Sequence, residues 1–469
     1  MAGRALALAP TVGLLWFRRG IIRQTMGRPG EAEADYRRAL VLAPSLGEAW
    51  GHLGLVLQRR GAPAVGEGMQ RRALRLDGPD AVPLFNLGCC LEAQGRIAAA
   101  ERCYHRAAAL RPDMAQVHVN LGYAALAADQ DGKAEAAFRR AACLMPSLAA
   151  AHWNLGLGYL KKGWLDAGWR HYEHRFAAAG VPLSFPMARW NGAPLNGRRL
   201  LVWREQGLGD ELLFASCYPD LERLNSPVTI ECDQRLLGLF GRSFPWADLR
   251  GAGRPVRSGD ADLQIPAGSL PQVCRFRLAR IPARTAYLQP DPVRLAWWRQ
   301  RLEPIRRGRL LVGIGWRSQK VDAYRQNAYT SLTDWGPVLT VPGTAFINLQ
   351  YDDCDAEIRR AEDRWGVPIH RFDHLDLKHD LEGLAALIAA LDLVVVPATA
   401  AGELAGALGV PVWRLCRADW TRLGTGTRPW FPSHRTFSPA PGQPMGDMLL
   451  SVAAALRRLA RKDTSLAQA

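Results

Sequence analysis

The chain has no apolar run long enough to cross a bilayer, which argues against a membrane-spanning helix. The apolar stretch from Ala5 to Trp16 could pass for a secretion signal, but it falls in register with a 34-residue repeat and is read as part of it. No two of the nine cysteines (Cys89, Cys90, Cys103, Cys143, Cys217, Cys232, Cys274, Cys354 and Cys416) form a C-x-x-C pair, and their number is odd. Scattered, unpaired cysteines point to reduced thiols in a cytoplasmic protein, with Cys103 and Cys143 in helix cores. Basic residues form no long run and no patch interleaved with aromatics. The net charge of +16, carried mostly by Arg, therefore fits an anionic ligand such as a nucleotide diphosphate better than nucleic acid.

What is present is a length of 469 residues with 48% hydrophobic residues, enough for real cores in roughly two to four domains. The first part repeats itself every 34 residues. Gly20, Gly54, Gly88, Gly122 and Gly156 form one column; Ala5, Ala39, Ala73, Ala107 and Ala141 form another. Pro10, Pro44, Pro112 and Pro146 hold the same register, with Gly78-Pro79 at the missing place. Tyr36, Tyr104, Phe138 and Tyr172 mark an aromatic column, and Trp16, Trp50, Leu84 and His118 a further large position. Small residues let antiparallel helices approach, aromatics fill the gap, and Pro ends the second helix. These columns resemble the tetratricopeptide repeat, and Ala5 and Pro10 in late columns imply that the chain starts inside the second helix of a unit. A stacked array leaves a concave face, either a docking surface for a protein or a support for the neighbouring domain. The last unit, Gly163 to Phe176, reads as a capping helix with Trp169, Tyr172 and Phe176 on one face. His171 and His174 read as interface residues rather than metal ligands.

The expected organisation is a repeat array over 1–178, an irregular Pro- and Gly-rich linker over 179–198, and two Rossmann-like domains over 199–300 and 301–469. The fold class is thus an α-solenoid followed by α/β, with strand and helix signals alternating as in parallel sheets. Arg198 to Val202 reads as a buried strand, and Glu211 to Ala215 as the start of a helix. Between them lies Gln206-Gly207-Leu208-Gly209-Asp210. Glycines in a strand-to-helix turn allow positive φ and close backbone approach, and the helix start attracts an anion. The alternative is a structural turn with Asp210 as N-cap. Asp260-Ala261-Asp262 looks like a metal-binding D-x-D but opens an apolar strand and is discounted.

In the second half, Arg309 to Trp316 reads as a strand whose mouth carries Arg317, positioned for a ligand phosphate or simply on the surface. Lys320 and Arg325 come next in a polar loop. Leu393 to Val396 is a central strand that leads through Pro397-Ala398-Thr399-Ala400-Ala401 into a helix at Glu403. Thr399 can cap that helix, or its free N–H groups can hold a phosphate.

Together these residues resemble bacterial tetratricopeptide-repeat-linked glycosyltransferases of the GT-B fold, similar to the heptosyltransferases and, in architecture, to the O-GlcNAc transferase. The motifs are Gly168-Trp169…Tyr172-Glu173…Arg175, Glu205 to Asp210, Gly313 to Trp316, Leu349-Gln350, Leu404 to Trp413, Asp419-Trp420 and Pro429 to Ser433. The resemblance implies an acceptor near the first turn (Gln206, Gly207, Gly209), with Asp210 as general base on its hydroxyl. It implies a nucleotide-sugar as substrate in the C-terminal half, held by Arg317, Gln350, Thr399, Ala400, Ala401 and Glu403, with no metal and no further cofactor. It implies a protein or glycan acceptor, such as a cell-surface or flagellar component, docked by the array.

One departure bears on activity. The family shows Asp-Thr-x-x-x-His where this chain has Ala398, Thr399 and Glu403. A His can donate to a phosphate; an ionised Glu repels it. At a helix start Glu403 also suits the dipole. Either arginines such as Arg317, Arg414 or Arg417 carry the diphosphate, or donor binding is altered. The competing reading is a non-catalytic repeat scaffold with a degenerate transferase module.

Overall fold

The computed structural model describes residue 9 and residues 11–181, 185–275, 277–282, 285–318, 329–440 and 443–466. They divide into two compact units, Met1–Leu155 and Gly156–Ala469.

The first unit is built of helical hairpins. Its helices are α1 (Gly13–Thr25), α2 (Pro29–Leu42), α3 (Gly47–Arg59), α4 (Pro63–Asp77), α5 (Ala81–Ala93), α6 (Ile97–Leu110), α7 (Ala115–Ala127) and α8 (Asp131–Leu144). The glycine column is where the two helices of a hairpin touch. A methyl group at Gly20, Gly88 or Gly122 would meet the ring of Tyr36, Tyr104 or Phe138 at 2.4–2.5 Å. The second hairpin has Gln70 in the aromatic column, buried, with its amide donating to the Gly51 carbonyl at 2.7 Å. There the backbones themselves close up, Gly54 against Gly66. The proline column has a partner too. Trp50 Nε1 donates to the Pro44 carbonyl, and ring nitrogens of His118 and His152 bond to those of Pro112 and Pro146, at 2.9–3.0 Å. Cys143 is exposed, not core as its helical position suggested; Cys103 is half-buried.

Helix α9 (Ala149–Lys161) crosses the division between the units, and α10 (Leu165–Tyr172) with the short turn Arg175–Ala178 lies in the second unit. The segment read as a linker over 179–198 contributes β1 (Ala188–Arg189). The first sheet adds β2 (Leu200–Trp203), β3 (Val228–Cys232), β4 (Asp248–Gly251) and β5 (Leu263–Pro266), in the order β1-β5-β2-β3-β4 with every pairing parallel. The second holds β6 (Leu310–Ile314), β7 (Thr344–Asn348), β8 (Ile369–His370), β9 (Leu393–Pro397), β10 (Val412–Leu415) and β11 (His434–Phe437). Its order is β11-β10-β9-β6-β7-β8, again all parallel. Strands β2, β6, β7, β9 and β10 are buried along their whole length, which is why they read as continuous apolar runs. In the first sheet the strand order reverses at β2, and in the second at β6 and β9. Such reversals leave a crevice beyond the carboxyl ends of the strands.

Candidate functional site

The first candidate turn comes after β2. The left-handed residue is Gln206, at φ +60°; Gly207 sits at φ −98° and Gly209 is already helical. The expectation that the glycines supply positive φ is therefore corrected: the strained position belongs to a side-chain-bearing residue. Gly207 is the N-cap of α11 (Leu208–Ala215), and Asp210 stands three residues inside, its Oδ2 accepting the Gly207 N–H at 3.3 Å. Asp210 is thus not the N-cap. It closes the turn from within and is partly exposed. Beside it, buried Glu211 accepts from Arg204 Nε at 2.9 Å and from the Asp233 N–H at 2.7 Å. Burial pushes the Glu211 carboxyl up, against the pull of Arg204.

The turn is gripped from α10 and from the short turn Arg175–Ala178 that follows it. Arg175, 3% exposed, makes two 2.6 Å bonds to the Glu205 carboxylate and one of 2.8 Å to Ser269 Oγ. Gln206 Nε2 donates to the Tyr172 hydroxyl at 2.8 Å. Trp169 and Tyr172 of α10 pack edge-on or tilted against Trp420 at 5.9 and 5.7 Å, and Tyr172 lies 6.4 Å from Phe214 of α11.

The second turn comes after β9. Thr399 is the N-cap of α16 (Ala400–Ala407), but its side chain makes no capping bond. (Between these helices run α12, Leu237–Ser243; α13, Pro292–Arg306; α14, Asp355–Trp365; and α15, Leu381–Ala389.) Thr399, Ala400 and Ala401 are half-buried and Ala398 is exposed. Glu403 is buried and is not bare: its Oε2 accepts from Arg428 Nη1 at 2.6 Å, and Arg414 lies 4.0 Å from its Oε1. Arg414 in turn pairs with Asp419 at 2.9 Å. Burial opposes the Asp419 charge, but Arg414 and Arg428 outweigh it and hold its carboxyl below the usual range. His434, beside Arg428, is pushed well below the ordinary histidine value by burial and then by Arg428 and Arg414.

The two turns meet. A methyl group at Gly209 would stand 3.6 Å from Glu403 Cγ and 3.7 Å from Ala400 Cα. That is ordinary van der Waals contact for a methyl. Two helix N-termini therefore converge, one from each sheet. The first-turn N–H groups of an α-helix have no intrahelical acceptor, and both dipoles present their positive ends here.

Arg317 and Gln350 are brought to the mouth of β6 and β7, but both are engaged. Arg317 Nε binds Asp352 at 2.9 Å and its Nη1 binds Glu357 at 2.5 Å. Gln350, 2% exposed, accepts from the Trp316 and Arg317 N–H groups at 3.1 and 3.2 Å and donates to Asp352 at 2.7 Å. It ties the two strand ends together. Beside it opens a cavity of about 300 Å³, lined among others by Asn348, Asp352, Arg371 and Phe372. Lys320 and Arg325 lie outside the described residues. Asp260 and Asp262 are held by Arg250 and Arg199, as structural carboxylates. Arg428, Arg414, Tyr172 and Arg175 organise both turns. Tyr172 was marked by the aromatic column and the capping-helix face, and Arg175 only by the resemblance; Arg428, far along the chain from Glu403, gave no local signal.

Two tetratricopeptide repeat families match the chain, over residues 14–46 and 81–114. The N-terminal part is thus a tetratricopeptide-repeat solenoid, followed by a parallel-sheet α/β region. Protein FlbA of Caulobacter vibrioides is 39% identical over 298 residues, covering 59% of this chain and 50% of that protein. The chain spans about half the length of this curated relative. Among solved structures, Pseudomonas aeruginosa PilF is 22% identical over 37% of this chain and 78% of its own, with a TM-score of 0.34. TTC0263, a tetratricopeptide repeat protein of Thermus thermophilus, is 20% identical over 36% and 92%, with a TM-score of 0.32. No helix of the described residues is long and apolar enough to cross a membrane.

Proposed function

We propose that the second unit is a metal-independent glycosyltransferase of GT-B type, moving a sugar from a nucleotide-sugar to a protein or glycan acceptor in the cytoplasm, with the repeat solenoid docking a protein partner. The observation that carries this reading is the convergence of two helix N-termini, one from each sheet, with Asp210 on one of them.

In this reading the acceptor hydroxyl lies against Asp210. Its oxygen attacks the anomeric carbon, the bond to the diphosphate oxygen breaks, and the hydroxyl proton passes to Asp210. The diphosphate leaves into the turn at 399–402, where first-turn N–H groups and the dipole of α16 meet its charge. The cavity beside Gln350 takes the nucleoside. Glu403 no longer repels the phosphate as a bare carboxylate would, because Arg428 neutralises it.

A second reading, a protein-binding scaffold with a degenerate module, is favoured by the donor-side arginines. Arg317 and Arg428 already hold carboxylates. The two separate on one variant. For a transferase, Asp210→Asn lowers the transfer rate at least about 100-fold, the scale of lost general-base catalysis, while nucleotide-sugar affinity stays within about twofold. A scaffold shows no transfer in either protein.

A further inference from the structure

The turn that aims Asp210 is held by side chains from outside its own sheet. Gln206 occupies the left-handed region at φ +60°, which costs a residue with a Cβ free energy and persists only where the surroundings enforce it. Two contacts do so here. The Tyr172 hydroxyl, on a residue 2% exposed, receives the Gln206 amide at 2.8 Å. The preceding residue, Glu205, is locked by the two-pronged bond from Arg175, and its Oε1 also accepts the Gly268 N–H at 2.7 Å. Gly207 comes next and is bound to the Asp210 carboxylate. An unbroken chain of bonds thus runs from the last repeat helix, through Glu205 and Gln206, to Asp210.

We propose that Tyr172 and Arg175 are positioning residues: they hold the Glu205-Gln206 turn in its strained form and so fix where the Asp210 carboxylate stands. The last repeat helix then belongs to the catalytic unit rather than to the docking surface. The kinetic part of this claim rests on the transferase reading above; the structural part does not.

The test uses the full chain with Tyr172→Phe, which keeps the ring in its aromatic cluster and removes only the hydroxyl. Amide hydrogen exchange at Gly207, bonded to the Asp210 carboxylate, and at Glu211, bonded to the Gly207 carbonyl, is expected to quicken about five- to tenfold, with exchange in the strands of both sheets unchanged. The double variant Tyr172→Phe/Gln206→Gly is expected to return exchange toward wild type, since glycine adopts the left-handed form without being held there. A purely packing role for Tyr172 predicts no such rescue. Transfer kinetics on the same proteins should show a fall in kcat with donor affinity unchanged. Wild-type exchange rates in Tyr172→Phe, or a double variant no slower than the single, overturn the proposal. If wild type transfers no sugar, the transferase reading fails on its own, and the exchange data still decide whether Tyr172 holds the turn.

Discussion

Glu403 and Arg428 form a buried pair: the carboxylate accepts from the guanidinium at 2.6 Å, with side chains 8% and 1% exposed. The carboxylate at the start of α16 is therefore matched by a charge 25 residues away in sequence. Replacing one partner strands the other. Glu403→Ala is expected to cost about 3–5 kcal/mol in chemical denaturation, whereas Glu403→Ala with Arg428→Met costs clearly less. Glu403→His breaks the same pair and should destabilise the protein rather than tighten donor binding. Equal cost of the single and double variants would show that the pair does not act as one.

The second unit should not survive removal of the last hairpin. A chain starting at residue 183 loses Arg175, Trp169 and Tyr172, leaving Glu205 buried without its cation. Breaking a buried pair costs about 3–5 kcal/mol. Removing large buried aromatics costs about as much each. Together these exceed much of an ordinary domain stability of about 5–15 kcal/mol. A chain starting at residue 145 keeps the hairpin and is expected to unfold cooperatively by circular dichroism. A cooperative, native-like transition in the shorter chain would contradict this.

Stability should fall in mild acid. His434 is held neutral in the folded state, first by burial and then by Arg428 and Arg414. The unfolded chain takes up a proton near pH 6.5, so its uptake favours unfolding below that pH. The contribution is fully present above about pH 6.5 and is lost as pH falls toward the depressed folded value. His52 and His370, also lowered, act in the same direction. Comparing wild type with His434→Gln isolates one site. Between about pH 6.5 and 5.5 wild type should lose up to about 1.4 kcal/mol more than the variant. Parallel stability curves would refute the assignment.

The repeat columns and the buried strands were legible because periodicity and apolar runs report burial directly. Gly20 and Tyr36 mark a helix contact in the sequence as plainly as in the structure. Strands β1 and β4 were not, being two and four residues long and partly exposed. The left-handed Gln206 was hidden because sequence assigns such backbone to glycine, and two glycines stood next to it. Arg317 stands at the strand mouth where the sequence puts it, but the carboxylates that bind it, Asp352 and Glu357, come from a neighbouring loop and helix. Local pattern gives position; long-range pairing decides whether a charge is free.

The central claim, a nucleotide-sugar site where the two helix N-termini meet, is tested most directly by titration calorimetry of the full chain against UDP-, GDP-, ADP- and dTDP-sugars. One of them should bind at about one site per chain, and Gly209→Val, whose side chain fills the approach to Ala400 and Glu403, should abolish that heat without unfolding the protein. Binding of none of these at millimolar concentration, or full binding by Gly209→Val, would contradict the account.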